Sequence, residues 1–191
     1  MNFLAHAWLA RRGNDDFLYG NLIADGVKGR NLEEWPADVA RGIRHHRHVD
    51  AFVDGHAVTH SILTRSPGWG RRYAGIALDL VWDHFVALEL MQARAEGPIV
   101  SRTYELLARR SAPSRLAPMV PVLVEQDWLR RYADFAFTCR AIGGIGQRLS
   151  GPNRLAELVP WLEAEYPVLR EDFQCLWPEV CRALEVAFEA E

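Results

Sequence analysis

Histidine and aspartate recur at helical spacing between positions 42 and 85, on helix faces that are otherwise apolar. All seven histidines of the 191-residue chain lie at or before position 84, a distribution that scattered surface residues would not produce. A polar side chain on an apolar helix face becomes buried when the helix packs, and a buried polar group needs a partner. The pattern therefore predicts a His/Asp metal site built by the first half of the chain and supported by the second half.

Hydrophobic periodicity, together with helix start and stop signals, predicts an all-α fold without strands. A length of 191 residues fits one domain, and we assign residues 1–191 to it. Asn2 is expected to cap the first helix, and Pro160, Pro167 and Pro178 are expected to bend or break the last one. The predicted helical segments are about 2–12, 17–28, 37–59, 71–95, 98–110, 118–131, 132–146 and 152–191.

Charge and composition argue against several classes of protein. The net charge of -3 provides no general nucleic-acid footprint. No apolar run approaches the ~18 residues that a membrane span needs, and the first residues make a poor signal peptide. The three cysteines, Cys139, Cys175 and Cys181, show no CxxC spacing and are predicted to be reduced core residues of a cytoplasmic protein.

Two carboxylates stand out on the predicted helix that begins near residue 71. Asp83 falls on its apolar stripe, and Asp79 lies one turn earlier, so that the two side chains are neighbours and repel each other. Burying either carboxylate without a partner would cost several kcal/mol. A divalent cation would remove both costs, and His84 adds an imidazole beside them.

The preceding helix carries a similar series, in which His46, Asp50 and Asp54 are spaced i, i+4 and i+8. Histidine and aspartate side chains one helical turn apart can reach the same ion. Arg47, next to His46, is placed to meet an anionic substrate. His6 and Asp25 are further polar residues in runs that otherwise favour burial.

Each of these residues also has an ordinary structural interpretation. A lone buried histidine is more often a hydrogen-bonded core residue than a ligand, and His–Asp pairs one turn apart are often exposed salt bridges. It is the coincidence of all of them that favours a metal site. Histidine and aspartate ligands suit Mn, Fe, Zn or Mg without selecting one, and such a site typically supports phosphoester hydrolysis.

Five segments of the chain resemble the acyl carrier protein phosphodiesterases. The resemblance covers nearly the whole chain and implies a divergent member of the HD phosphohydrolase superfamily: a single-domain helical bundle that depends on a divalent cation, typically manganese. The chain lacks the adjacent His-Asp dipeptide that names that superfamily and has Asp83 and His84 in the reverse order. The segments are MNFLAH at 1–6, GNLIADGVKG at 20–29, GIRHHRHVDAFVD at 42–54, ALDLVWDHF at 77–85 and WLRRYADFAF at 128–137.

The resemblance also implies an activity and a set of site residues, but it leaves their roles open, and the roles given below are our own expectation. The family releases 4'-phosphopantetheine from the serine of holo-acyl carrier protein, a reaction of fatty acid and lipid metabolism. The expected metal ligands are His6, Asp25, His46, Asp50, Asp83 and His84. Asp54 or Asp79 is expected to orient a ligand histidine or the attacking water, and Arg47 and Lys28 to offset phosphate charge.

The expected partner is holo-acyl carrier protein, which is acidic, so that an arginine-rich face is predicted for its binding. Neither a nucleic acid nor a membrane span is expected, and the sequence does not fix the oligomeric state. Two alternatives stay open. One is an HD-type metal phosphohydrolase that acts on a nucleotide or another small phosphoester. The other is a non-catalytic helical interaction protein whose His and Asp residues form buried salt bridges.

Overall fold

A computed structural model describes residues 1–148 and 153–185, which form α-helices and two short 3₁₀ helices and contain no strand. The all-α prediction is confirmed. The 3₁₀ helices are Ala24–Gly26 and Leu155–Leu158. The α-helices are α1 (Phe3–Leu9), α2 (Asp15–Ile23), α3 (Ala37–Asp54), α4 (Ala57–Arg65), α5 (Arg71–Gln92), α6 (Glu96–Arg109), α7 (Val120–Glu125), α8 (Trp128–Arg131), α9 (Phe135–Arg148) and α10 (Val159–Leu184).

Two predicted helices are each divided in two. The segment predicted over 37–59 ends at Asp54, and the ring nitrogen Nδ1 of His56 accepts the backbone N–H of Val58 to begin α4. The segment predicted over 118–131 is interrupted by Asp127, whose φ of 52° is left-handed and incompatible with continuing the helix. Local capping and backbone geometry thus override the helical periodicity at both places.

The prolines do not break the last helix, so the part of the prediction that expected a break is wrong. Pro167 and Pro178 lie inside the single helix α10, and Pro160 lies in its first turn, where a missing N–H breaks no helical bond. An interior proline costs about 3 kcal/mol or more, and the buried stripe of α10 offsets that cost by packing on the core. Residue 152 and residues 186–191 of the predicted segment lie outside the described ranges.

Helix α5 lies at the centre of the molecule and packs against α1, α4, α6, α9 and α10. Its Trp82 and Phe85 are buried, and both rings lie within 6 Å of the Phe173 ring on α10. The three cysteines are free as predicted, but Cys175 is exposed, so the prediction that it is a core residue is wrong. None of the described helices is both long and apolar enough to cross a bilayer.

The approach of α2 to α3 requires glycine on both helices. A Cβ added at Gly42 would lie 2.2 Å from the backbone oxygen of Phe17, and one added at Gly20 would lie 2.2 Å from the backbone oxygen of Val39. Real Cβ atoms do not approach other atoms so closely, so any other residue would push the helices apart. Glycine at these positions lets the backbone of α2 reach the histidines of α3.

Candidate metal centre

Helices α1 and α3 bring two histidines and a carboxylate together. The Nε2 atom of His6 lies 3.1 Å from Oδ1 of Asp50, and Nε2 of His46 lies 3.1 Å from Oδ2 of the same carboxylate. The two imidazole rings are stacked, with centroids 3.6 Å apart and an interplanar angle of 13°. One ligand atom from each of the three residues lies within 4.8 Å of the others, which is close enough for one metal ion.

Asp25 extends the group from the 3₁₀ helix that follows α2. Its Oδ1 lies 3.3 Å from Nε2 of His46, so that this nitrogen faces two carboxylates. The Asp25 side chain is 60% exposed, whereas both histidines are almost completely buried. The cluster therefore has a closed side formed by the histidines and an open side at Asp25, through which a substrate can approach.

The hydrogen bonds of His46 determine which of its nitrogens faces the carboxylates. Its Nδ1 lies 2.8 Å from the backbone oxygen of Asn21, which can only accept, so Nδ1 is the donor. In the neutral ring Nε2 then carries a lone pair directed towards Asp25 and Asp50. This buried Nε2 makes no well-formed hydrogen bond in the structure. Either a proton or a metal cation is needed there, and the donor set of the cluster fits a divalent ion.

Burial and the close carboxylates also shift the pKa values of the cluster. Burial lowers the pKa of His46, but its contacts with Asp25 and Asp50 outweigh burial and raise that pKa to about 9. Burial of His6, reinforced by the charge of His46, lowers the pKa of His6 to about 3. Although burial opposes it, the two histidines hold the pKa of Asp50 well below its usual range. Without metal, Asp50 is therefore ionised, His6 is neutral and His46 carries a second proton. A metal ion would replace that proton on His46.

Asp79 from α5 lies on the edge of this cluster. Its Oδ1 accepts a hydrogen bond from the α-amino group of Met1 at 2.6 Å, and the same amino group is 3.4 Å from Asp50. Burial raises the pKa of Asp79 to about 6, although the Met1 ammonium acts in the opposite direction. The nearby charge of Asp54, which is itself exposed on α3, raises it further.

The structure places Asp83 at the beginning of α1. Its carboxylate accepts backbone N–H groups of Asn2, Leu4 and Ala5 at 3.2, 2.8 and 3.1 Å, whereas the Asn2 side chain makes no cap. The predicted capping role of Asn2 is therefore filled by a residue of another helix. Burial raises the pKa of Asp83 to about 7, against the lowering effect of the bonds from Leu4 and Ala5. Its oxygens satisfy helix donors that would otherwise be unpaired.

His84 is not brought to the cluster. Its Nδ1 donates to the backbone oxygen of Tyr132 at 2.7 Å, and its Nε2 accepts from the hydroxyl of Tyr166 at 2.8 Å. Phe85, Phe135 and Tyr166 surround the ring. Both nitrogens are satisfied, and the side chain connects α5 to α8 and α10.

Arg47 and Lys28 lie beside the open side of the cluster. The Arg47 guanidinium donates to the backbone oxygen of Val27 at 2.9 Å and so holds the segment that carries Asp25. Lys28, one residue further on, is exposed.

Two other contributors were not predicted from the sequence: the carbonyl of Asn21 and the amino group of Met1. Backbone atoms leave no mark on side-chain periodicity. The side chain of Arg115 lines the same cavity as Asp25 and Asp79.

Comparison with known proteins identifies relatives over nearly the whole chain. The family model described as acyl carrier protein phosphodiesterase matches residues 1–180. Curated proteins of that name from Salmonella agona and Salmonella dublin are each 32% identical to this chain over 185 residues. The alignments cover 94% of this chain and 95% of each relative. No solved structure matches the chain.

Proposed function

The chain belongs to the acyl carrier protein phosphodiesterase family, and on that premise we propose that it hydrolyses the phosphodiester of holo-acyl carrier protein. Water adds to phosphorus, the bond from phosphorus to the serine oxygen breaks, and the products are apo-carrier protein and 4'-phosphopantetheine. The observation that supports this reaction best is the buried Nε2 of His46, directed at two carboxylates with no well-formed hydrogen bond.

The ligand set that we propose is His6, His46, Asp50 and Asp25, with manganese as the resident ion and Mg, Fe or Zn as possible substitutes. A bound divalent cation would lower the pKa of a water molecule and offset the charge of the phosphate. The Asn21 carbonyl holds the Nδ1–H of His46, which fixes the tautomer and directs Nε2 to the site. Asp50 contacts Nε2 of both histidines, so that the three side chains can share one ion.

The remaining residues act around this set. Asp54 or Asp79 orients a ligand histidine or the attacking water. Arg47 and Lys28 balance the phosphate charge. Asp83 and His84 were expected from the sequence to be ligands, but we assign them to positioning, because Asp83 accepts three backbone N–H groups and both nitrogens of His84 have partners.

The wider classification is also part of the proposal. We infer that residues 1–191 form a single domain of the HD phosphohydrolase type that works in the cytoplasm on an acidic protein partner. His46 and Asp50 form an i, i+4 pair on one helix. This pair supports the relation to the HD phosphohydrolases, because it can take the place of their adjacent His-Asp dipeptide.

The direct test uses mass spectrometry of the carrier protein. The purified protein is stripped of metal, given Mn²⁺ and incubated with holo-acyl carrier protein. The carrier protein should lose the mass of 4'-phosphopantetheine only when metal is present. His46→Gln should abolish this loss, whereas His48→Gln, an exposed position on the same helix, should leave it unchanged. Intact holo-protein with wild-type enzyme and metal would contradict the proposal, and turnover of small phosphoesters alone would favour the alternative substrate class.

A further inference from the structure

A cavity of about 310 Å³ lies directly beside the candidate metal centre. Asp25 and Asp79 are among its lining residues, and most of the other lining side chains are apolar. Sites for small molecules are typically about 300–1,000 Å³ and mostly apolar, with a few polar groups that fix the ligand. The apolar wall comes from α5, α8, α9 and the segment before α7, and includes Ile76, Leu80, Leu116, Met119, Trp128 and Ile145.

Arg115 lies at the boundary of this cavity and a second one of about 400 Å³. Lys28 and Ser114 also line the second cavity, so that both cationic side chains face the same space. Within residues 1–148 and 153–185, neither Arg115 nor Lys28 forms an ion pair with a carboxylate. Arg115 is therefore available for an anion in the cavity that Asp25 also lines.

Resting on the proposed function, we propose that the 310 Å³ cavity holds the pantetheine arm of the substrate and that Arg115 binds the phosphate at its mouth. The arm is narrow and combines two methyl groups and methylene carbons with two amides and a hydroxyl. The folded carrier protein on the other side of the phosphodiester is too large to enter the cavity. This arrangement directs the serine oxygen outwards, where the leaving carrier protein can depart.

The charges along the cavity agree with this orientation. The phosphate would lie between the ligand carboxylates, with their cation, and the guanidinium of Arg115, which can hold two phosphate oxygens at once. Most of the other lining side chains are apolar and suit the two methyl groups that follow the phosphate in the arm. Asn2 and Tyr132, whose side chains are 3.4 Å apart on this wall, offer hydrogen bonds to the amides. Lys28 lines the adjoining cavity together with Arg115 and adds a second positive charge near the phosphate.

A cavity-filling variant tests the assignment of the arm. Ala141 on α9 lines the cavity, and Ala136→Phe, at an exposed position of the same helix, is the matched control. Binding of free 4'-phosphopantetheine is measured by calorimetry, and binding of holo- and apo-carrier protein is measured without metal. In Ala141→Phe we expect at least tenfold weaker binding of free 4'-phosphopantetheine and the loss of any preference for holo over apo carrier protein. Apo-protein binding should be unchanged, and unaltered affinity for free 4'-phosphopantetheine would overturn the proposal.

A second variant tests the phosphate contact. Arg115→Ala should lower kcat/KM for holo-carrier protein about 10- to 100-fold, the usual range for losing a charged hydrogen-bonding partner. The variant should also lose much more affinity for free 4'-phosphopantetheine than for pantetheine, which lacks the phosphate. Arg109→Ala, an exposed residue of α6 paired with Glu105, is the control and should change neither. An equal loss of affinity for 4'-phosphopantetheine and for pantetheine would refute the proposal that Arg115 binds the phosphate.

Failure of this inference and failure of the proposed function give different results. If the wild-type protein converts holo-carrier protein and Ala141→Phe binds the arm as well as wild type does, the proposed function stands and the assignment of the cavity is wrong. If the wild-type protein binds free 4'-phosphopantetheine, Ala141→Phe does not, and holo-carrier protein stays intact, the assignment of the cavity stands and the proposed function is wrong.

Discussion

Metal binding at the candidate centre should depend steeply on pH, because a cation must displace a proton from His46. In the metal-free protein, Asp25 and Asp50 outweigh the effect of burial and raise the pKa of His46 to about 9. The lone pair of Nε2 is available to a cation only after that proton has left. We therefore expect the affinity for Mn²⁺ to rise as the pH increases towards 9.

The magnitude follows from the titration of this one group. At pH 7, two units below the pKa of about 9, roughly one molecule in a hundred has a free Nε2. The apparent Kd should therefore fall about tenfold for each pH unit, or about a hundredfold between pH 6.5 and 8.5, which corresponds to ~2.7 kcal/mol. His6 adds nothing to this slope, because its pKa of about 3 leaves it neutral throughout.

The assay is calorimetric titration of metal-stripped protein with Mn²⁺ under nitrogen, in pairs of buffers that differ in ionisation enthalpy. We expect close to one proton released for each ion bound at pH 7. His48→Gln, at an exposed position, should retain the slope, and His46→Gln should lose both the slope and most of the affinity. A Kd that stays constant from pH 6.5 to 8.5 without proton release would refute the reasoning that His46 is protonated in the metal-free protein.

Three further predictions concern the structure around the site. Gly42→Ala should lower the free energy of unfolding by about 1–3 kcal/mol, because its Cβ would collide with a backbone oxygen of α2. Gly75→Ala has open space around it and should raise the free energy of unfolding by about 0.5–1 kcal/mol. Urea denaturation measures both changes. Asp83→Ala should cost roughly 3 kcal/mol or more, because three N–H groups lose their acceptor. His84→Phe should lower the melting temperature but leave the Mn²⁺ stoichiometry and Kd unchanged, and a lost Mn²⁺ site would make His84 a ligand after all.

Most of the fold was predictable because helices with one buried face have a clear period. The errors arose where a single residue overrode that period, as the His56 cap and the left-handed Asp127 do. The prolines of α10 were misread for the opposite reason. A local rule predicted a break, but the buried face of a 26-residue helix compensates for two missing hydrogen bonds.

Helical spacing alone indicates partners in the candidate site only where they share a helix, whereas His6 and Asp25 were predicted as polar residues in apolar runs and from the family resemblance. The spacing of His46 and Asp50 on α3 places both side chains on one face, and their distance of 3.1 Å agrees with that expectation. Asp83 and His84 gave the same signal of polar residues on an apolar face, but their partners are backbone groups near residues 4 and 132 and the hydroxyl of Tyr166. Periodicity reveals that a buried group needs a partner and does not reveal what the partner is.

Asp83 nevertheless bears on the metal centre through α1. A helix of seven residues is too short to be stable alone, so its position depends on tertiary contacts. Asp83 supplies these contacts at the first turn of α1, and His6 in the same helix stacks on His46. Loss of Asp83 would therefore release His6 as well as destabilise the fold. The loss of a side chain that lies outside the group formed by His6, His46 and Asp50 can in this way disrupt that group.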